Sequence, residues 1–181
     1  MNIELLNTMT TKASSGGFVI SLDFELMWGV RDQVTIAQYG PNVLGVRQAI
    51  PSLLELFGRK QIACTWATVG LLFFDHKDDL EIALPKVRPQ YRNQKLSPYP
   101  DISRLGRTES DDPYHFGLSL IRQIAATPNQ EVATHTFSHY YCLEEGQTLE
   151  AFEADLQAAI AAARAPHAKM ACKGSKMQFR R

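Results

Sequence analysis

Three short apolar runs of strand length, separated by segments with helical spacing, constrain this chain more than any other feature. Phe18-Val19-Ile20-Ser21-Leu22 is β-branched and continuously apolar rather than alternating, which predicts a strand covered on both faces. Residues 62–69 form a second such run, broken by Gly70, and Glu131-Val132-Ala133-Thr134 forms a third, shorter one. Between the first two, Val43, Val46, Ile50, Leu53, Leu54 and Phe57 recur at helical spacing, with Asn42 as N-cap and Pro51 placed to kink the helix. Residues 78–87 read as a short helix, and residues 88–112, with Pro89, Pro98, Pro100 and Gly106, as a long loop. Pro113 opens a helical stripe over residues 114–126. Thr148 caps a last helix whose apolar positions are Phe152, Leu156, Ala159, Ile160 and Ala163. Strands alternating with helices predict an α/β fold with a parallel sheet, doubly wound or closed into a barrel. Ligands in such folds bind at the carboxyl ends of the strands.

At 181 residues the chain suffices for one domain with a sizeable core. Residues 1–17, polar and ending in Ser14-Ser15-Gly16-Gly17, read as a flexible lead-in; residues 18–165 hold the folded domain, and residues 166–181 form a tail. Nineteen basic and nineteen acidic residues cancel with no run of either sign, which leaves no electrostatic footprint for nucleic acid. A neutral small molecule or glycan suits this chain better. Cys64, Cys142 and Cys172 are odd in number and lack a C-x-x-C pair, so neither a disulfide framework nor a thiolate zinc site is predicted. A reducing cytoplasm is the expected compartment. No stretch approaches the roughly 20 apolar residues that span a bilayer, and the start lacks a basic, then apolar, export signal.

Polar constellations follow two of the predicted strands: Asp23-Phe24-Glu25 after the first, His135-Thr136-Phe137-Ser138-His139 after the third. Together they offer two carboxylates and two imidazoles, a donor set for one divalent metal with a carboxylate to spare as a base. On a straight strand His135 and His139 would lie about 13 Å apart, so a shared metal requires a turn after Thr134. Either constellation alone is more often an ordinary turn. Their placement after buried strands, where an unpaired charge is costly, favours convergence.

These residues resemble the polysaccharide deacetylase family, also called NodB-homology or carbohydrate esterase family 4. Residues 18–25 resemble its first motif in a D-x-acid version, residues 63–70 its second strand, and residues 131–139 its H-[ST]-x-x-H motif, in the family's order. The resemblance implies Asp23 as general base and Glu25, His135 and His139 as metal ligands. It implies zinc as the metal, with cobalt, nickel and iron suiting the same donors, and hydrolysis of acetyl groups on an acetylated sugar or polysaccharide. It also implies a distorted (β/α) barrel of about seven strands, of which this chain has sequence for about four. The family's Arg-containing third motif and its downstream acid histidine have no counterpart in residues 166–181, and His167 is a poor substitute. A catalytically inactive, shortened remnant that folds, binds metal or self-associates is therefore the alternative. An incomplete barrel leaves open sheet edges, which predicts a homo-oligomer. Trp28, Trp66, Tyr140 and Tyr141 are candidates to line a sugar cleft, as is His115 at the end of the long loop; core packing and a helix-start turn are the plainer accounts. Arg31 and Arg47 are candidates for binding a phosphate or nucleotide-linked sugar, though surface arginines need no such role.

Overall fold

The computed structural model describes residues 17–165. The predicted lead-in and tail, with His167 and Cys172, lie outside the described residues. Three parallel strands, β1 (Ser21–Phe24), β2 (Cys64–Thr68) and β3 (Gln130–Thr134), form one sheet in the order β1-β2-β3. Leu22 pairs with Trp66 and Trp66 with Val132; one residue on, Asp23 pairs with Ala67 and Ala67 with Ala133. The chain is thus mixed α/β, with three strands among the described residues where about four were expected.

Helix α1 (Ile36–Lys60) joins β1 to β2, and α2 (Lys77–Ile82), α3 (Tyr99–Ile102) and α4 (Leu118–Ala126) lie between β2 and β3. Helix α5 (Leu149–Arg164) follows. Among the described residues no helix is long and apolar enough to cross a membrane.

Several predicted boundaries move for identifiable reasons. Phe18 and Val19 are 92% and 80% exposed, so the apolar run starts before the strand does. The ladder begins where Thr65 N–H donates to the Ile20 carbonyl at 3.0 Å, and further back the amides turn elsewhere, Cys64 N–H to the Asn129 carbonyl and Ile62 N–H to the Phe57 carbonyl. Helix α1 starts well before Asn42, because Thr35 and Gln38 form a reciprocal capping box, Thr35 N–H donating to Gln38 Oε1 at 3.1 Å. Pro41 and Pro51 ride inside it on exposed positions, where water can take the carbonyls they leave unpaired. Helix α4 starts at Leu118 rather than at residue 114, since residues 113–116 turn tightly to bring His115 N–H and Phe116 N–H back to the Asp112 carbonyl. Helix α2 ends at Ile82, short of residue 87.

One face of the sheet, carrying Phe24, Cys64, Trp66 and Val132, packs into the main core with Val43, Ile50, Leu54 and Phe57 of α1 and Ile121 and Ile124 of α4. The other face carries Ser21, Asp23, Thr65, Ala67, Glu131 and Ala133, all half-buried or exposed. The continuous apolar runs predicted cover on both faces; the described residues bury only one. The long loop is tied down instead of free: Gln90 and Arg92 N–H donate to the carbonyls of Gly146 and Glu145 at 3.0 and 2.8 Å. Gly146 has φ +93, and a Cβ there would sit 1.9 Å from the Gln90 oxygen, so the crossing requires glycine. Arg47 is committed to the fold, with Nη2 2.8 Å from the Pro113 carbonyl and Nη1 2.8 Å from Glu109 Oε1, which corrects its reading as a phosphate ligand.

Candidate metal centre

The ladder continues one residue past each strand: Val69 N–H donates to the Phe24 carbonyl at 3.1 Å and His135 N–H to the Thr68 carbonyl at 2.9 Å. Glu25, Val69 and His135 therefore form the first row beyond the sheet's carboxyl end. Strand spacing puts the backbones of Glu25 and His135 about 10 Å apart, within reach of a glutamate and an imidazole that lean together. His139 joins them through a turn in which Thr136 (φ 62) and His139 (φ 56) are left-handed. That is the turn the H-x-x-x-H spacing required, and it leaves the two imidazole centroids 5.1 Å apart.

Ligand atoms of Glu25, His135 and His139 all lie within 4.8 Å of one another. Glu25 Oε2 is 2.8 Å from His139 Nε2 and 3.8 Å from His135 Nε2. Metal bonds of about 2.0–2.2 Å place neighbouring ligand atoms about 3–4 Å apart, so this donor set fits one divalent cation with little movement. His139 Nδ1 is buried without a hydrogen-bond partner. The hydrogen bond with His139, helped by charge on both imidazoles and opposed by burial, holds the Glu25 carboxyl below its ordinary range. An ionised carboxylate is the form a metal takes. Asp23 stands two residues earlier on the open face, with Oδ1 4.0 Å from His135 Nδ1 and its side chain 57% exposed. Its row neighbours Ala67 and Ala133 present only methyl groups, so nothing from the sheet stands over the carboxylate.

The loop holding the imidazoles is clamped from two sides. Gly70 and Leu71 N–H donate to the Thr136 and Phe137 carbonyls at 2.9 and 3.0 Å. From α5, the fully buried Asp155 accepts from Phe137 N–H at 2.6 Å and from the Ser138 hydroxyl. Within the loop, Tyr140 N–H donates to Thr136 Oγ1 at 2.8 Å. Sequence reasoning missed Asp155, although a carboxylate spaced four residues from Ala151 and Ala159 on the buried stripe of α5 was a readable signal.

The aromatic candidates divide. Tyr140 lines a cleft of about 400 Å³ together with Thr134, His135, Thr136 and His139. Trp28, Trp66 and His115 are only 1%, 3% and 9% exposed, and they face the core instead of a sugar cleft. Trp28 Nε1–H donates to the His115 carbonyl at 2.8 Å and Trp66 Nε1–H to Gln130 Oε1 at 3.0 Å. The His115 imidazole packs edge-on against Trp28 and is held by Asp112 at 2.9 Å. Each thus satisfies its polar atom inside the fold, which buried aromatics require. A second grouping that the sequence reading did not single out, Asp75, His76 and Asp79, also comes within 4.8 Å, with His76 and Asp79 exposed.

Comparison with protein-family models, with curated proteins and with solved structures finds no match to this chain. The deacetylase resemblance therefore rests on the motif residues themselves.

Proposed function

We propose that the chain is a metal-dependent hydrolase that removes acetyl groups from an acetylated sugar or polysaccharide precursor. The observation that carries this reading is the convergence of Glu25, His135 and His139 at the carboxyl end of a parallel sheet, with Asp23 beside them. When bound, a divalent cation with two neutral imidazoles and one carboxylate keeps net positive charge and open positions, and so supplies Lewis acidity toward water and an acyl oxygen. Glu25, His135 and His139 would hold it. Asp23, exposed on the open face, would take the proton from the attacking water as general base. The cleft lined by Tyr140 and both imidazoles would admit the acetyl group. Zinc is the proposed metal, and the same donors suit cobalt, nickel and iron.

A second reading, metal binding without turnover, is favoured by where the remaining histidines lie. Among the described residues His76 sits in the other cluster and His115 in the core, so no further imidazole stands at the centre to protonate a leaving amine.

Metal analysis of the purified protein beside His135→Ala and His139→Ala separates these readings, followed by acetate release from an acetylated glucosamine oligomer by unmutated protein and Asp23→Asn. The expected result is one metal per chain, lost in both histidine variants, with acetate release that falls about 10²–10⁴-fold in Asp23→Asn. No stoichiometric metal sinks the proposal. Metal without acetate release supports the second reading, and turnover indifferent to Asp23→Asn removes Asp23 as the base.

A further inference from the structure

Glu25 reaches His139 because the chain doubles back beneath it. Leu26 takes a left-handed φ of 47, and the single 3₁₀ turn Leu26–Gly29 carries Gly29 under the Glu25 carboxylate. A Cβ placed on Gly29 would lie 2.2 Å from Oε2, 2.3 Å from Cδ and 2.7 Å from Oε1 of Glu25. Two groups cannot share that space, so one of them must move on substitution.

The turn cannot be the one that gives. Leu26, Met27 and Trp28 are all buried. Met27 N–H donates to the Tyr114 carbonyl at 3.1 Å, Trp28 N–H to the Glu25 carbonyl at 3.0 Å, and the Trp28 indole to the His115 carbonyl at 2.8 Å. Gly29 itself is not left-handed, so alanine suits its backbone. The Glu25 carboxylate, by contrast, is the far end of a flexible side chain and swings at small cost. We infer that Gly29 is a positioning residue for the metal ligand Glu25: its missing side chain is the seat in which the carboxylate rests while facing His139. This rests on the metal reading of the triad. It also gives Trp28 and His115 a role other than sugar binding, since they anchor the turn that presents the seat.

Gly29→Ala separates ligand placement from folding. The probe is Co²⁺, titrated calorimetrically and read by its visible absorption, with unfolding followed by circular dichroism and a crystal structure of the metal-free variant. Gly29→Ala is expected to bind Co²⁺ about 10–100-fold more weakly than unmutated protein, with an altered visible band, as for other residues that orient ligands. Its unfolding midpoint is expected within about 3 °C of unmutated protein, and its Glu25 carboxylate displaced from His139. Equal Co²⁺ affinity with an unchanged band overturns the inference. So does a crystal structure with Glu25 Oε2 still 2.8 Å from His139 Nε2. A midpoint lowered by about 10 °C or more overturns it as well, because the turn would then have moved instead of the carboxylate. Failure of unmutated protein to bind Co²⁺ counts against the metal reading, and the crystal structure then decides the role of Gly29 alone.

Discussion

Replacing Asp155 with alanine tests how the imidazole loop is held. The carboxylate is fully buried and takes two donors from the loop, Phe137 N–H at 2.6 Å and the Ser138 hydroxyl. Alanine leaves both without an acceptor, and an orphaned buried donor costs about 1–3 kcal/mol. The hydroxyl can rotate and recover part of this; the amide cannot. Burial pushes the Asp155 carboxyl above its ordinary range, against the hydrogen bonds from Ser138 and Phe137 that favour its charge, so removing the charge also returns some desolvation energy. The net expectation for Asp155→Ala is a loss of about 2–4 kcal/mol, with an unfolding midpoint about 4–16 °C lower for a chain of this size. Asp155→Asn keeps an oxygen for the Phe137 amide and turns its NH₂ toward the Ser138 oxygen, so it should stay within about 1 kcal/mol of unmutated protein. The sign with pH follows from the raised value. The folded protein holds this proton more tightly than the unfolded chain, so the contribution is full below the ordinary aspartate range and is lost as pH rises through the folded value. Asp155→Asn should flatten that slope. Urea unfolding followed by circular dichroism at several pH values measures all three, and hydrogen exchange at the Phe137 amide reports the clamp directly. An Asp155→Ala variant within about 1 kcal/mol of unmutated protein, with unchanged exchange at Phe137, refutes the reasoning.

Asp112 carries the opposite sign. Burial raises its carboxyl, but the His115 hydrogen bond and charge and the backbone amides of Gly106 and Tyr114 bring the net below the ordinary range, so its stabilisation is present near neutrality and lost as pH falls through that lowered value. Asp112→Asn should unfold at lower urea near neutral pH, with the difference shrinking in acid; a constant difference in the urea midpoint would contradict this. The outer edges of β1 and β3 bear no further strand among the described residues, and open edges are the ground on which a homo-oligomer is proposed. Light scattering at two concentrations should show mass rising above 20.3 kDa, and a clean monomer throughout would count against it.

The sheet was legible because its signal is local. β2 and β3 lie on or within a residue of the apolar runs that predicted them, and the polar residues after Phe24 and Thr134 land at the sheet's carboxyl end as parallel topology demands. The start of α1 was misread because Gly40 and Pro41 look like breaks, whereas the Thr35–Gln38 capping box starts the helix ahead of them. Trp28 and His115 were misplaced for a different reason. Their aromatic character is visible in sequence, but whether an indole faces a cleft or the core is decided by the Tyr114 and His115 carbonyls, far away along the chain. The place of Asp155 on the buried stripe of α5 was readable, but its partners were hidden in the same way, as they are loop atoms that only the packed structure brings to α5.

Backbone strain that the surroundings enforce lies on both sides of the contact between Glu25 and His139. Of the five non-glycine residues with positive φ among the described residues, Leu26 follows Glu25 directly, and Thr136 and His139 belong to the imidazole loop. Each such residue costs about 1–3 kcal/mol and persists only where neighbours over-determine it. Here they do: the Tyr114 and His115 carbonyls fix the turn after Leu26, while Gly70, Leu71 and Asp155 fix the loop around Thr136. The two strained segments share no sequence, yet both end on the same few ångströms between Glu25 and His139. Strain placed independently at both halves of one contact is what a preorganised ligand set requires, since a cation then meets donors already held in place. Asp23 is outside this arrangement. It lies on the regular part of β1, in the row of Ala67 and Ala133, where the proposed proton acceptor keeps access to water.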